Sequence, residues 1–217
     1  RNCTFRQNFA GGGGAMVIYC VIGGTSEALI KNCVFEDNTA STANVSSTGA
    51  GILMLGNSGA QLKPKIIGCT FRNNFVGNDG GGISMTPSGA TSLLATVIDS
   101  CLFINNRSTD RGSAIWYRII QGRSEVVIKN SRFISNRSGG QGGAVFARSS
   151  FDAISSDTTV NCLFSQNISD GSSSVNDGEG GALFIRGSQD ATRNHQVINC
   201  VFDRNSAANR GGALGTT

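Results

Sequence analysis

The sequence repeats itself, and that fact constrains its fold more than any local propensity does. A Phe-x-x-Asn step recurs at Phe5/Asn8, Phe35/Asn38, Phe71/Asn74, Phe103/Asn106, Phe133/Asn136, Phe164/Asn167 and Phe202/Asn205. Each step is followed by a triplet of small residues and then an aliphatic, from Gly13-Gly14-Ala15-Met16 to Gly211-Gly212-Ala213-Leu214. The second and fourth triplets, Gly49-Ala50-Gly51 and Gly112-Ser113-Ala114, are degenerate. The Phe-to-Phe steps are 30, 36, 32, 30, 31 and 38 residues. A period of this kind is the signature of a solenoid, whose single repeat cannot bury its own apolar face.

The variation in length is confined to one place. From each aliphatic to the next Phe the distance is 18–20 residues, whereas from each Asn to its aliphatic it runs from 8 to 16. The two long gaps, Thr39–Thr48 and Ile168–Glu179, are rich in Ser, Asn, Asp and Gly and read as loops on one edge of the solenoid. Rim loops at Gly56–Lys63 and Arg148–Ser156 also vary in sequence.

The apolar pattern has period two, which specifies strands rather than helices. Cys and Phe two apart share a face in Cys101-Leu102-Phe103. An aliphatic or Thr sits five residues before Phe, at Ile30, Ile66, Ile98, Ile128, Thr159 and Val197, and its odd offset requires a bend. The residue three before Phe is Asn2, Asn32, Gly68, Ser100, Asn130, Asn161 or Asn199, and Asn and Gly tolerate a left-handed backbone there. The reading is an all-β, right-handed single-stranded parallel β-helix of about seven coils. Residues 1–217 form one domain, with repeats beginning near 1, 31, 67, 99, 129, 160 and 198. Each coil is expected to hold a strand around Cys-x-Phe, a turn at Asn, a strand after the glycines and a third strand before the bend. Both ends fall inside a repeat and carry no polar cap, so the expectation is a fragment of a longer solenoid with uncapped ends. Missing targeting signals then carry little weight.

Stacked at about 4.8 Å, seven coils make a rod roughly 30–35 Å long. Equivalent side chains form ladders. A Phe ladder lies inside, worth about 1.5–3 kcal/mol per buried ring. The repeat Asn residues are expected to bond to turn backbone and to one another along the stack. Six of the seven Cys share the slot two before Phe: Cys3, Cys33, Cys69, Cys101, Cys162 and Cys200, with Ser131 in the fifth coil and Cys20 outside the pattern. A reduced, buried ladder fits better than disulfides, because stacked Cβ atoms point in parallel rather than toward each other. A linear ladder does not converge on a metal ion.

Composition bears on what the chain can do. Its 18 basic residues occur without any run of three and its net charge is +4, which reads as solvated surface rather than a nucleic-acid face. There is no run of 18 apolar residues, so no membrane span is expected in this segment. Sequons lie at Asn2, Asn44, Asn106, Asn136 and Asn167. The last three coincide with the ladder Asn, which leaves Asn44, in a long gap, as the best acceptor for a glycan.

The paired Phe-x-x-Asn and Gly-Gly-Ala-aliphatic steps resemble the repeat of the chlamydial polymorphic outer membrane proteins, through all seven coils. The resemblance implies a surface-exposed β-helix that acts as an adhesin, often exported by a C-terminal barrel. This chain departs from that pattern in having no barrel, in its two degenerate glycine motifs, and in its regular Cys slot and sequons.

Catalytic signals are weak. A glycosidase needs two carboxylates facing one cleft. The acids Asp37, Asp79, Asp110, Asp170, Asp177, Glu179, Asp190 and Asp203 fall mostly in turns and in differing slots. A triad would have to be built on His195, the one His, in a loop between strands. Trp116-Tyr117 could stack on a sugar if exposed, but alternation sends one of the two inward. The expectation is a non-catalytic extracellular or cell-surface glycoprotein, structural or adhesive. It has no cofactor, and its edge loops meet protein or glycan or build a larger filament or polymer. The alternative is a polysaccharide-binding or polysaccharide-degrading, pectate-lyase-like β-helix.

Overall fold

Strand alternation decides which side chains enter the core, and stacking decides where they sit. A computed structural model describes residues 1–41, 48–173, 178–188 and 190–217; the sequon at Asn44 and the acid at Asp177 lie outside these. The described residues form five parallel sheets and no helix. Three sheets have seven strands and two have six, so seven Phe steps span six complete turns. No helix long and apolar enough to cross a membrane occurs among the described residues, which says nothing of a β-barrel.

Every strand pairs in parallel with its counterpart one coil away, in the register that the repeat dictates. Phe5 pairs with Phe35, Phe35 with Phe71, Phe71 with Phe103, Phe103 with Phe133, Phe133 with Phe164 and Phe164 with Phe202. A slip of one residue would turn each Phe outward, so burial of one face enforces the register. Each complete coil carries five strands where three were expected. The additional two are two-residue pieces such as Phe75–Val76 and Leu93–Leu94. They are too short to show alternation in sequence, and they exist because each rung's backbone bonds to the next.

Left-handed backbone recurs at four corners of the coil, one of them the turn after the long strand, at Gly23, Gly59, Gly89, Gly122, Asp152 and Asp190; the other three bear on the ladders. The first is the bend three before Phe, where Asn2, Asn32, Gly68, Ser100, Asn130, Asn161 and Asn199 have φ between 47° and 61°. The second differs from the expected turn at the repeat Asn. The left-handed residue is the one before it (Gln7, Asp37, Asn73, Asn105, Ser135, Gln166 or Arg204, φ 49–58°). That corner swings the repeat Asn inward. The third is the first Gly of each triplet, at φ 52–72°. This Gly is present in all seven coils, and a Cβ on Gly112 would run into the Ile115 carbonyl. The degenerate triplets keep it and vary only at the next two positions.

The core is one continuous column. Phe35, Phe71, Phe103, Phe133 and Phe164 are fully buried, with Ile30, Ile66, Ile98 and Ile128 and the Cys residues packed around them. Successive Phe rings lie 4.6–4.9 Å apart, centroid to centroid, with planes within 5° of parallel.

Candidate functional site

The interior ladders use up their own chemistry. Each Asn amide donates to the Asn oxygen of the next coil, through the series Asn8, Asn38, Asn74, Asn106, Asn136, Asn167 and Asn205 at 2.8–3.0 Å. From Asn38 onward the same amide also donates to the Phe carbonyl of the coil before, as Asn106 does to Phe71 at 2.9 Å. From Asn38 onward each Asn oxygen also accepts the preceding repeat Asn's backbone N–H, as Asn106 does from Asn74 at 3.1 Å. Asn38, Asn74, Asn106, Asn136 and Asn167 are fully buried, so the sequons at the last three cannot be glycosylated in the folded chain.

All seven Cys are free thiols. In the slot two before Phe each sulfur bonds a backbone carbonyl two residues earlier, as Cys162 does to Val160 at 3.3 Å. Ser131 keeps the pattern, donating to Lys129 O and accepting from Cys101 N. Burial pushes the Cys162 thiol up to about 12. Among the described residues no three His, Cys, Asp or Glu converge as a metal site.

The outer face of the sheet after the glycines is different. Two rows run along it, side by side. Trp116, Phe146 and Phe184 stand in register in one row. Arg118, Arg148 and Arg186 stand in register in the other. The first row is covered although it faces away from the core: Trp116 is 8% exposed, Phe146 0% and Phe184 2%, and they form a second apolar cluster. Alternation does turn one of the pair inward, Tyr117, and Trp116 on the outer face is buried as well, because here the arc before the glycine triplet lies over this face. Arg111, on that arc, places its guanidinium 5.7 Å from the centre of the Phe146 ring. Tyr117 points inward and donates to Asp157, which also accepts from Ser124 Oγ and Val126 N.

Between the arc and the arginine row lies a cleft of about 360 Å³, lined among others by Asp79, Arg111, Trp116, Arg118 and Arg148. Arg118 and Arg148 are half-buried, and neither has a carboxylate within ion-pair distance among the described residues. Arg186 is held by Gln141, and Arg111 by Asp110 at 3.2 Å. Among the described residues, Arg118 Nε, Arg111 Nε and Trp116 Nε1 are buried without a hydrogen-bond partner. Burial, then the charges of Arg118, Arg186 and Arg111, lowers Arg148 to about 10. Asp79, at the far wall, accepts from Arg111 N at 2.9 Å. Burial and the nearby Asp110 charge raise its carboxyl to about 7.

The arginine row is not evident along the sequence, where the basic residues occur without any run of three and read as solvated surface. The signal was present: the third residue after the aliphatic is Arg in three successive coils. The acids also share a slot that went unseen, since Asp79 and Glu179 both stand just before a glycine triplet. His195 is not part of any cluster. Its partner among the described residues is Thr159, at 3.1 Å, and burial lowers its pKa to about 4. A larger, more open groove of about 590 Å³ follows the neighbouring sheet past Phe75, Arg107, Arg137 and Ile168, and there Arg137 is already paired with Asp170 at 2.7 Å.

Stacked Phe and Asn ladders closed by glycine corners define the chain as a repeat-built parallel β-helix. Three of these repeats are similar to a known one: residues 68–86, 130–148 and 199–217 each match the Chlamydia polymorphic membrane protein repeat. Each matched segment runs from the left-handed bend through Phe, Asn and the glycines. No curated protein and no solved structure matches the chain significantly. The repeat family is associated with the outer membrane and cell surface, and with the fold it supports a surface-exposed, structural protein at that level.

Proposed function

We propose that the chain is a non-catalytic adhesive rod, extracellular or on a cell surface, that presents its outer faces and edge loops to protein or glycan. The observation that carries this reading is the unbroken inner ladder. Five consecutive Asn and five Phe are fully buried and mutually satisfied, so the coil interior is rigid and contact chemistry is left to the outside. Insertions concentrate on one arc, where they can vary without disturbing the stack. Beads coated with the full chain should adhere to host-type cells in a saturable manner, and free chain should compete. Adhesion no better than that of albumin-coated beads would refute the adhesive role.

A degradative reading has one observation behind it. Asp79, with its raised carboxyl, stands near Asp110 and several arginines in a cleft, as a general acid would. Against this, Asp79 is only 6% exposed and already accepts the Arg111 N–H. Incubation with polyuronides should release no reducing ends or unsaturated products; release would overturn the non-catalytic assignment.

A further inference from the structure

The cleft beside the arginine row holds cations and buried donors that the stack itself does not satisfy. Among the described residues the guanidiniums of Arg118 and Arg148 have no acidic partner within ion-pair distance, and the buried Arg118 Nε, Arg111 Nε and Trp116 Nε1 have no acceptor. Leaving buried donors unmade is costly, and like charges stacked one rung apart repel. Such a row is stabilised by a ligand that brings only acceptors and negative charge. We propose that this cleft binds an acidic saccharide, with a carboxylate or sulfate on Arg118 and Arg148 and the sugar ring beside half-buried Leu55.

Three features select a saccharide over an acidic peptide. The volume, about 360 Å³, suits one or two sugar units and lies within the range of small-ligand pockets. Half-buried Leu55 supplies apolar wall beside the cations, whereas Trp116 and Phe146 are almost wholly covered. The backbone of this sheet is already bonded to the coils on either side, as in the register of Ile115–Ile120 with Val145–Ser150. A peptide strand therefore cannot add to it and would have to bind through side chains alone. Arginines one rung apart, about 4.8 Å, would meet successive charges of a chain lying along the solenoid axis.

This inference deepens the surface-contact reading by naming a ligand class, and it rests on that reading only for its setting. Its test therefore uses purified full chain rather than cells. Titration calorimetry at fixed salt would compare a sulfated uronate oligosaccharide (a heparin fragment), a carboxylate-only one (oligogalacturonate), a neutral maltooligosaccharide and an oligoglutamate. At least one acidic saccharide should bind, and the neutral one should not; the stronger of the two acidic arms identifies sulfate or carboxylate as the preferred group. The double variant R118Q/R148Q should weaken that binding by about tenfold to a hundredfold, from the loss of two charged hydrogen-bonding partners. R132Q/R204Q, an equal loss of charge from exposed positions on and just beyond strands of another sheet, should change it by less than about twofold. Unchanged melting temperatures would show that both variants fold, and R118K/R148K supplies a milder second pair should the Gln variant unfold. No binding of either acidic saccharide, equal losses in the two Gln double variants, or tighter binding of oligoglutamate would overturn the proposal. If adhesion to cells fails while the saccharide binds, the cleft stands and the adhesive role falls.

Discussion

Replacing Asn106 by Ala tests whether the buried amide ladder holds the solenoid together. Asn106 is fully buried. Its amide donates to Asn136 Oδ1 at 3.0 Å and to Phe71 O at 2.9 Å, and its oxygen accepts from Asn74 N at 3.1 Å and Asn74 Nδ2 at 2.9 Å. Ala removes all four bonds and leaves the Asn74 N–H buried without its acceptor. At about 1 kcal/mol net for each bond, plus the penalty for the stranded group, the loss comes to about 4–6 kcal/mol. That is a large part of the 5–15 kcal/mol typical of whole domains. Asn8 is the internal control. It is exposed and loses only its amide bond to Asn38, so Asn8→Ala should cost about 1 kcal/mol. Asn106→Asp is sharper still. A carboxylate would face the Phe71 carbonyl and the Asn136 oxygen, so this variant should be least stable at neutral pH. It should recover partly in acid, where the protonated side chain can donate. Urea unfolding followed by circular dichroism, with hydrogen exchange to detect local opening, measures all three. Asn106→Ala no more damaging than Asn8→Ala would refute the ladder's energetic role.

Phe103→Ala should cost about 3–5 kcal/mol by opening a cavity between Phe71 and Phe133, and an unchanged melting temperature would count against the Phe column. Unfolded, unreduced protein should titrate seven thiols. In the folded chain exposed Cys3 should alkylate first and buried Cys162, its thiol held up to about 12, far more slowly; zero or one thiol on unfolding would contradict the free ladder. Asp79→Asn should stabilise the chain at pH 8 but not at pH 3. The folded carboxyl sits near 7 instead of 3.8, so its contribution is present below 3.8 and lost as pH rises through 7. At 1.36 kcal/mol per pH unit that is worth up to about 4 kcal/mol; a variant destabilised equally at both pH values would refute the assignment.

How much could be read from the chain alone follows from how a solenoid works. Local sequence fixes a rung and repetition fixes the neighbours of each slot. The Phe column, the Asn series, the Cys slot and the left-handed bend at Asn32 or Asn130 therefore follow from spacing, because equal slots must stack. The arginine row is of the same kind and was missed only because Arg118, Arg148 and Arg186 stand about a coil apart and look isolated in one dimension. The two-residue strands gave no periodic signal. Nor could sequence place the second corner: Gln7, Ser135 and Arg204 have no common preference for left-handed backbone, and the neighbouring Asn ladder holds them there. The covered outer aromatics are purely tertiary. Alternation alone sends Trp116 to solvent, and only the fold-back of the arc before Gly112 shields it and forms the wall of the cleft. The sequence by itself thus determined which side chains stack, since period and register are local properties. The three-dimensional path of one arc decided where a pocket exists, since a cleft depends on how two distant surfaces face each other.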